Sequence, residues 1–200
     1  MRSFLVVDKI FISATSLVTE ADVRTARLGT RFGRLDLASQ LALLAVESLG
    51  IDFDSQPRDR IGICLAARAG SLATDFDFWR RRDIVGGPSP TLFAYTLPST
   101  AIGEIAIRHR LTGPNLCWVG EDIILPEARE LIQLGEVEAC LCISSNVVTP
   151  SIAEMIQAAP AACAAAIFLQ RGGDRLRELR ENDRDIERLC RLIRAPGFEN

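Results

Sequence analysis

The stretch Leu111–Ile132, "LTGPNLCWVGEDIILPEARELI", decides how this chain is read. Gly113-Pro114-Asn115 is turn chemistry, and Asn115 to Val119 form a short apolar run of strand length. Gly120 breaks the run. Pro126 fits the first turn of a helix, where its missing N–H has no intrahelical partner to lose, and "PEARELIQLG" carries that helix to a stop at Gly135. The junction is a strand passing through an elbow into a helix. Two acids, Glu121 and Asp122, stand at the elbow. In physical terms Asp122 is a carboxylate near a helix N-terminus, stabilised by backbone N–H groups.

Outward from this junction, strands and helices alternate. "SFLVVDKIFIS" near the start reads as a strand or strand pair. "DLASQLALLAVESLG" is a helix capped by Asp36 and stopped at Gly50, apolar over most of its circumference and therefore buried. "RIGICLAA" from Arg60 has the continuous apolar character of a strand covered on both faces. "SLATDFDFWRRR" is a helix, "TLFAYTLPST" an extended segment, and "AIGEIAIRHRL" a helix with Ser99 or Thr100 as its cap. After the elbow helix, "VEACLCISSNVV" and "AACAAAIFLQR" are strands. This order implies an α/β fold with a mostly parallel or mixed sheet and helices on both faces.

The tail differs. From Asp174 to Arg194 the pattern predicts a charged helix with a narrow stripe at Leu176, Leu179, Ile186, Leu189 or Cys190, and Ile193. The expected organisation is one domain over residues 1–172, followed by a C-terminal amphipathic helix and tail over 173–200. That helix is expected to pack on its own domain; a helix offered to a partner is the alternative.

The 200 residues carry a formal net charge of -3, with 22 Arg and the single Lys9 scattered among acids, so nothing argues for nucleic acid. No run approaches the roughly 18 apolar residues of a membrane span, and Asp8 and Lys9 interrupt the opening run, so a cytoplasmic location is the default. Six cysteines form no C-x-x-C pair and His109 is the one histidine, which excludes the usual zinc patterns. Most of the cysteines lie in apolar runs and read as reduced core thiols. His109, at a helix end among arginines, reads as solvated. No cofactor is called for.

The stretches "RLDLASQLALLAVESLG", "RIGICLAARAGSLATDFDFW", "FAYTLPST", "GEIAIR", "TGPN" and "LIQLGEVEACLCISSNVV", in this order and spacing, resemble the N-terminal half of β-ketoacyl synthases. These are condensing enzymes of the thiolase fold, and the resemblance covers approximately residues 1–170. It implies a thiolase-like domain with a nucleophilic cysteine at the elbow, nine residues after the glycine of the "GP" turn. Counting from Gly113 gives Asp122. A one-residue slip gives Glu121 or Ile123, and Cys117 falls five positions early, inside the strand. The family's enolate- and oxyanion-stabilising histidines come from a C-terminal half that this chain does not match. Condensation needs a nucleophile and stabilisation of developing charge, so the expectation is a non-catalytic half.

In some ketosynthases an inactive homologue, the chain-length factor, pairs with the active subunit and bounds its acyl tunnel. By that resemblance Leu92, Phe93, Tyr95 and Thr96 are tunnel or interface candidates. The family's dimer pairs the strand matching Asn115–Val119 with its twofold mate, which makes Trp118 an interface-anchor candidate. A core tryptophan is an equally good reading. Three functions follow: a non-catalytic partner of an active ketosynthase in polyketide or fatty-acid-type synthesis; a self-associating scaffold that binds an acyl chain or acyl carrier protein; and residual decarboxylation or thioester hydrolysis by Asp122 or Glu121. For the carrier protein, the basic Arg80–Asp83 is a candidate contact. A half-domain also leaves apolar surface to be covered by its own tail, a second copy or a partner.

Overall fold

The computed structural model describes residues 9–84, 86–87, 89–120, 123–172 and 176–193. Its strands are β1 (Phe11–Thr19), β2 (Ile61–Ala67), β3 (Asn115–Val119), β4 (Ala139–Val148), β5 (Ala161–Gln170) and β6 (Arg177–Glu178). They form one sheet in the order β3-β2-β4-β5-β1-β6. The helices are α1 (Glu20–Thr25), α2 (Leu37–Glu47), α3 (Leu72–Arg80), α4 (Pro90–Phe93), α5 (Thr100–His109), α6 (Ile124–Gln133), α7 (Pro150–Ile156) and α8 (Ile186–Ile193).

Alternation along the strands builds two cores. Ile63 and Leu65, Leu141 and Ile143, and Ala164, Ala166 and Phe168 face α2 and α5, meeting Leu41, Val46, Ile102 and Ile105. The intervening residues Cys64, Ala66, Cys140, Cys142, Ala165, Ile167 and Leu169 face α6 and α8, meeting Ile124, Leu125, Ala128, Ile132, Ile186 and Leu189. This two-residue period places every second side chain on the same face of the sheet. Central strands covered on both faces read as unbroken apolar runs, which is why "RIGICLAA" was legible.

Local chemistry sets the ends. The Asp36 carboxylate accepts the Ser39 N–H at 3.1 Å to cap α2, and its other oxygen accepts the Thr74 hydroxyl at 2.7 Å. Thr19 and Asp22 form a capping box for α1. A Cβ at Gly113 would stand 2.1 Å from the Ile61 carbonyl oxygen, so only glycine lets the turn before β3 lie against the start of β2.

The sheet is mixed, which the sequence order allowed, and the structure departs from the sequence reading in three other places. β4, β5, β1 and β6 pair antiparallel, and only the β3-β2-β4 section is parallel. The connection after β4 is a short return through α7, capped by the Thr149 hydroxyl, instead of a full crossover. The first strand lies further along, at Phe11–Thr19, and residues 1–8 are outside the described set. "TLFAYTLPST" is not extended. The Ser89 hydroxyl accepts the Leu92 N–H at 3.3 Å and Pro90 opens α4, after which the chain turns into α5.

The third departure is the tail. Helix replaces irregular chain only from Ile186, because Arg177–Glu178 adds to β1 opposite Phe11 and Ile12. Asp183 then closes a turn by accepting the Arg180 N–H at 2.7 Å and pairing with Arg177, and Asp185 caps α8 through the Arg188 N–H at 2.8 Å. Leu179, Ile186, Leu189 and Cys190 are buried on the sheet beside α6. The tail covers its own domain.

A polar latch holds α8 down. Asn146, fully buried on β4, donates to Glu187 Oε1 at 3.0 Å and accepts the Arg68 N–H at 2.8 Å, while the Cys163 thiol lies 3.5 Å from the same Glu187 oxygen. Burial and the Glu187 carboxylate push that thiol up to about 11, so it stays protonated. Asn146→Ala would strand several buried polar groups at once, an expected loss of about 2–4 kcal/mol on a net scale of 1–3 kcal/mol per unsatisfied group. Urea denaturation reads it directly, and a midpoint unchanged within error would rule out the latch.

Candidate partner-docking surface

β3 lies at the edge of the sheet, bonded to β2 on one side and, among the described residues, to no strand on the other. Proteins that stay monomeric usually blunt such edges with charges, prolines or bulges. The opposite side of this sheet shows those devices: β1 carries a register irregularity between Ile12 and Ala14, and β6 covers its first residues. "NLCWV" carries none of them. Leu116 and Trp118 face the α6/α8 core, whereas Cys117 faces the α2/α5 core. Trp118 and Cys117 are both half-buried, and burial pushes the Cys117 thiol up. Val119 projects outward at 70% exposure.

Beyond β3 the chain turns at Gly120, whose φ of 114° suits glycine and whose N–H bonds the Ala67 carbonyl at 3.1 Å. Glu121 and Asp122 lie outside the described residues. α6 begins at Ile124 and places Pro126 third, within the first turn, as read from the sequence.

The four residues of the α4 segment do not act together. Tyr95 is half-buried and packs against the α2/α5 core; burial, then the Glu104 charge, pushes its phenol up. Leu92 is half-buried and lines a cleft of about 280 Å³ with Asp36, Phe76, Arg80, Val147 and Ile152. The Thr96 hydroxyl donates to the Phe93 carbonyl at 2.8 Å, and its own carbonyl accepts from Ser71 at 2.6 Å. Phe93 alone of the four points out, 61% exposed, with its ring 5.4 Å from Phe78.

Two further exposed residues escaped the sequence reading: Leu97 at 63% and Trp79 at 61%. The Gly70 backbone joins this loop to the sheet edge. A Cβ there would lie 3.2 Å from Val119 Cγ2 and 3.6 Å from Pro98 Cγ. Val119 and the Leu97–Pro98 loop thus meet across Gly70, while Phe93 and Trp79 are exposed on the neighbouring elements α4 and α3. Their signal in the sequence was weak, because isolated apolar residues in loops are as often buried. The basic run beside Trp79 is partly satisfied internally: the Arg82 guanidinium lies 4.0 Å over the Trp79 ring and pairs with Asp83 at 2.9 Å.

His109 corrects the sequence reading. Its ring packs 4.7 Å from Phe53 and its side chain is 15% exposed, with Nε2 3.4 Å from a Glu47 carboxylate oxygen. Burial pushes its pKa below the usual value, against an opposing pull from Glu47. The unfolded chain takes up a proton near about 6.5, while the folded state resists it. This contribution to stability is complete above that pH and shrinks as pH falls toward the folded value. Between pH 7.5 and 5.5 the urea midpoint of the wild type should therefore fall more than that of His109→Gln. Parallel decreases would contradict the assignment.

Among the described residues no group of His, Cys, Asp and Glu side chains is arranged to hold a metal ion, and no helix is long and apolar enough to cross a membrane. The fold is the α/β architecture of thiolase-like ketosynthases. The ishigamide ketosynthase/chain length factor aligns with a TM-score of 0.65 at 22% identity, over 81% of this chain and 62% of that chain. A ketosynthase in complex with its chain length factor from Xenorhabdus doucetiae gives 0.62 at 18% identity, over 82% of this chain and 80% of that one. A type II PKS acyl-carrier protein in complex with its ketosynthase bound to the hexaketide gives 0.69 at 16%, over 86% and 67%. The chain spans less than two thirds of the first of these relatives. No protein-family model and no curated protein matches it.

Proposed function

We propose that this chain is a non-catalytic, chain-length-factor-like subunit that pairs with an active β-ketoacyl synthase in polyketide or fatty-acid-type synthesis. The observation that carries the reading is the unblunted β3 edge, with Val119 exposed at its end beside the loop that carries exposed Leu97. An edge of this kind accepts an antiparallel strand from a partner, with main-chain hydrogen bonds giving affinity and flanking apolar side chains giving area. Burying each of these side chains would contribute about 1.5–3 kcal/mol before the costs of association. The ketosynthase–chain length factor pairs among the structural relatives supply the kind of partner.

The absence of a thiol at the elbow position, where the sequence has Asp122, supports a non-catalytic role. The test is reconstitution of the complex with its ketosynthase. Product formation should be unchanged by Asp122→Asn and absent from this chain alone; loss of turnover in that variant would move the reading to residual catalysis by Asp122. A second reading, a self-associating scaffold for an acyl chain or acyl carrier protein, is favoured by the cleft of about 280 Å³ beneath Leu92.

A further inference from the structure

The α6-facing core holds a cluster of thiols that the proposed function does not use. Cys64 on β2 and Cys140 and Cys142 on β4 project from the same side of neighbouring strands, and all three are fully buried. The Cys64 and Cys140 sulfurs are 3.5 Å apart. We propose that Cys64 and Cys140 form a modification site, a dithiol that a two-electron oxidant of the peroxide class closes to a reversible disulfide.

The register sets the character of the bond. Cys64 lies opposite Cys142, and Cys140 is two residues back, opposite Gly62. With strands about 4.8 Å apart and a rise of about 3.3 Å per residue, the diagonal Cα atoms stand roughly 8 Å apart. A relaxed disulfide spans at most about 7 Å, with sulfurs about 2.05 Å apart. Closure therefore draws β2 along β4 and leaves the bond strained, and strained disulfides are the easily reduced ones. β2 is the strand to which β3 is bonded, and residues 65–139, closed into one loop, contain Trp79, Phe93, Leu97 and Val119.

The chemistry balances with hydrogen peroxide. The hydrogen bonds among the neighbouring thiols, and burial, push both sulfurs up, so a thiolate forms only on local opening; it then attacks an oxygen, breaking the O–O bond to give a sulfenic acid and hydroxide. The second thiolate displaces the sulfenic hydroxyl, and the two thiol protons leave in two waters. Because α6 covers both sulfurs, the rate follows local opening of that helix.

The test treats the folded, full-length protein with hydrogen peroxide, unfolds it in an alkylating agent and maps the peptides. Of the six free thiols, two are expected to escape alkylation, joined as Cys64–Cys140, and glutathione should restore all six. Cys140→Ala should abolish the link, and Cys163→Ala should leave it intact. Alkylation of every thiol after peroxide treatment would overturn the proposal. So would a link from Cys64 to Cys142, or pairing that persists in Cys140→Ala. These readouts need no partner, so they stand or fall separately from the docking reading.

Discussion

Val119→Lys is expected to abolish association with the partner subunit while leaving the fold intact. The side chain is 70% exposed at the end of β3, so the substitution removes almost no internal packing. Surface changes of this kind usually stay within about 0.5 kcal/mol of wild-type stability. A lysine on an edge strand is the device by which proteins prevent strand addition. Against an apolar partner surface it would also bury an unpaired charge. The expected loss is at least 100-fold in affinity, about 2.8 kcal/mol on the scale where 1.4 kcal/mol is tenfold. Isothermal titration or native mass spectrometry against the purified ketosynthase reads it, with the urea midpoint as the control for folding. A variant that binds as the wild type does would remove the β3 edge from the account.

The second large effect concerns the tail. A chain ending at Gly172 is expected not to fold stably, although it retains every segment that resembles a ketosynthase. The deletion uncovers the sheet beside α6 by removing the buried Leu179, Ile186, Leu189 and Cys190. It also leaves Asn146 and Cys163 without Glu187. At about 1.5–3 kcal/mol for each large apolar side chain, the three aliphatic residues alone account for roughly 5–9 kcal/mol, comparable with the whole stability of a domain. Far-UV circular dichroism and dye binding to exposed apolar surface would register the loss. A cooperative urea transition near the wild-type midpoint would show that α8 is an accessory to an independent domain.

The sequence revealed these features unequally, for physical reasons. β2 and β4 were legible because strands buried on both faces write continuous apolar runs, and α2 because Asp36 and Gly50 mark its ends. The antiparallel return of β5 was not, since a buried strand reads the same in either direction and only the short α7 connection distinguishes them. In the tail a spacing near three and four suggested one long helix. The pairing of Arg177–Glu178 with β1 and the Asp183 turn are tertiary contacts that override the local pattern. The α4 segment was recognised as a unit, but one face of it, Tyr95, went into the core and the other, Phe93, to the surface. His109 was misread because Phe53, which covers it, lies 56 residues away in the chain.

The most direct measurement is an affinity purification of the tagged, full-length protein from its native cells, wild type beside Val119→Lys, quantified by mass spectrometry. The account predicts a full-length β-ketoacyl synthase recovered in near-equal amount with the wild type and lost with the variant. Recovery of the chain alone, or of a carrier protein without any ketosynthase, would contradict the partner-subunit reading.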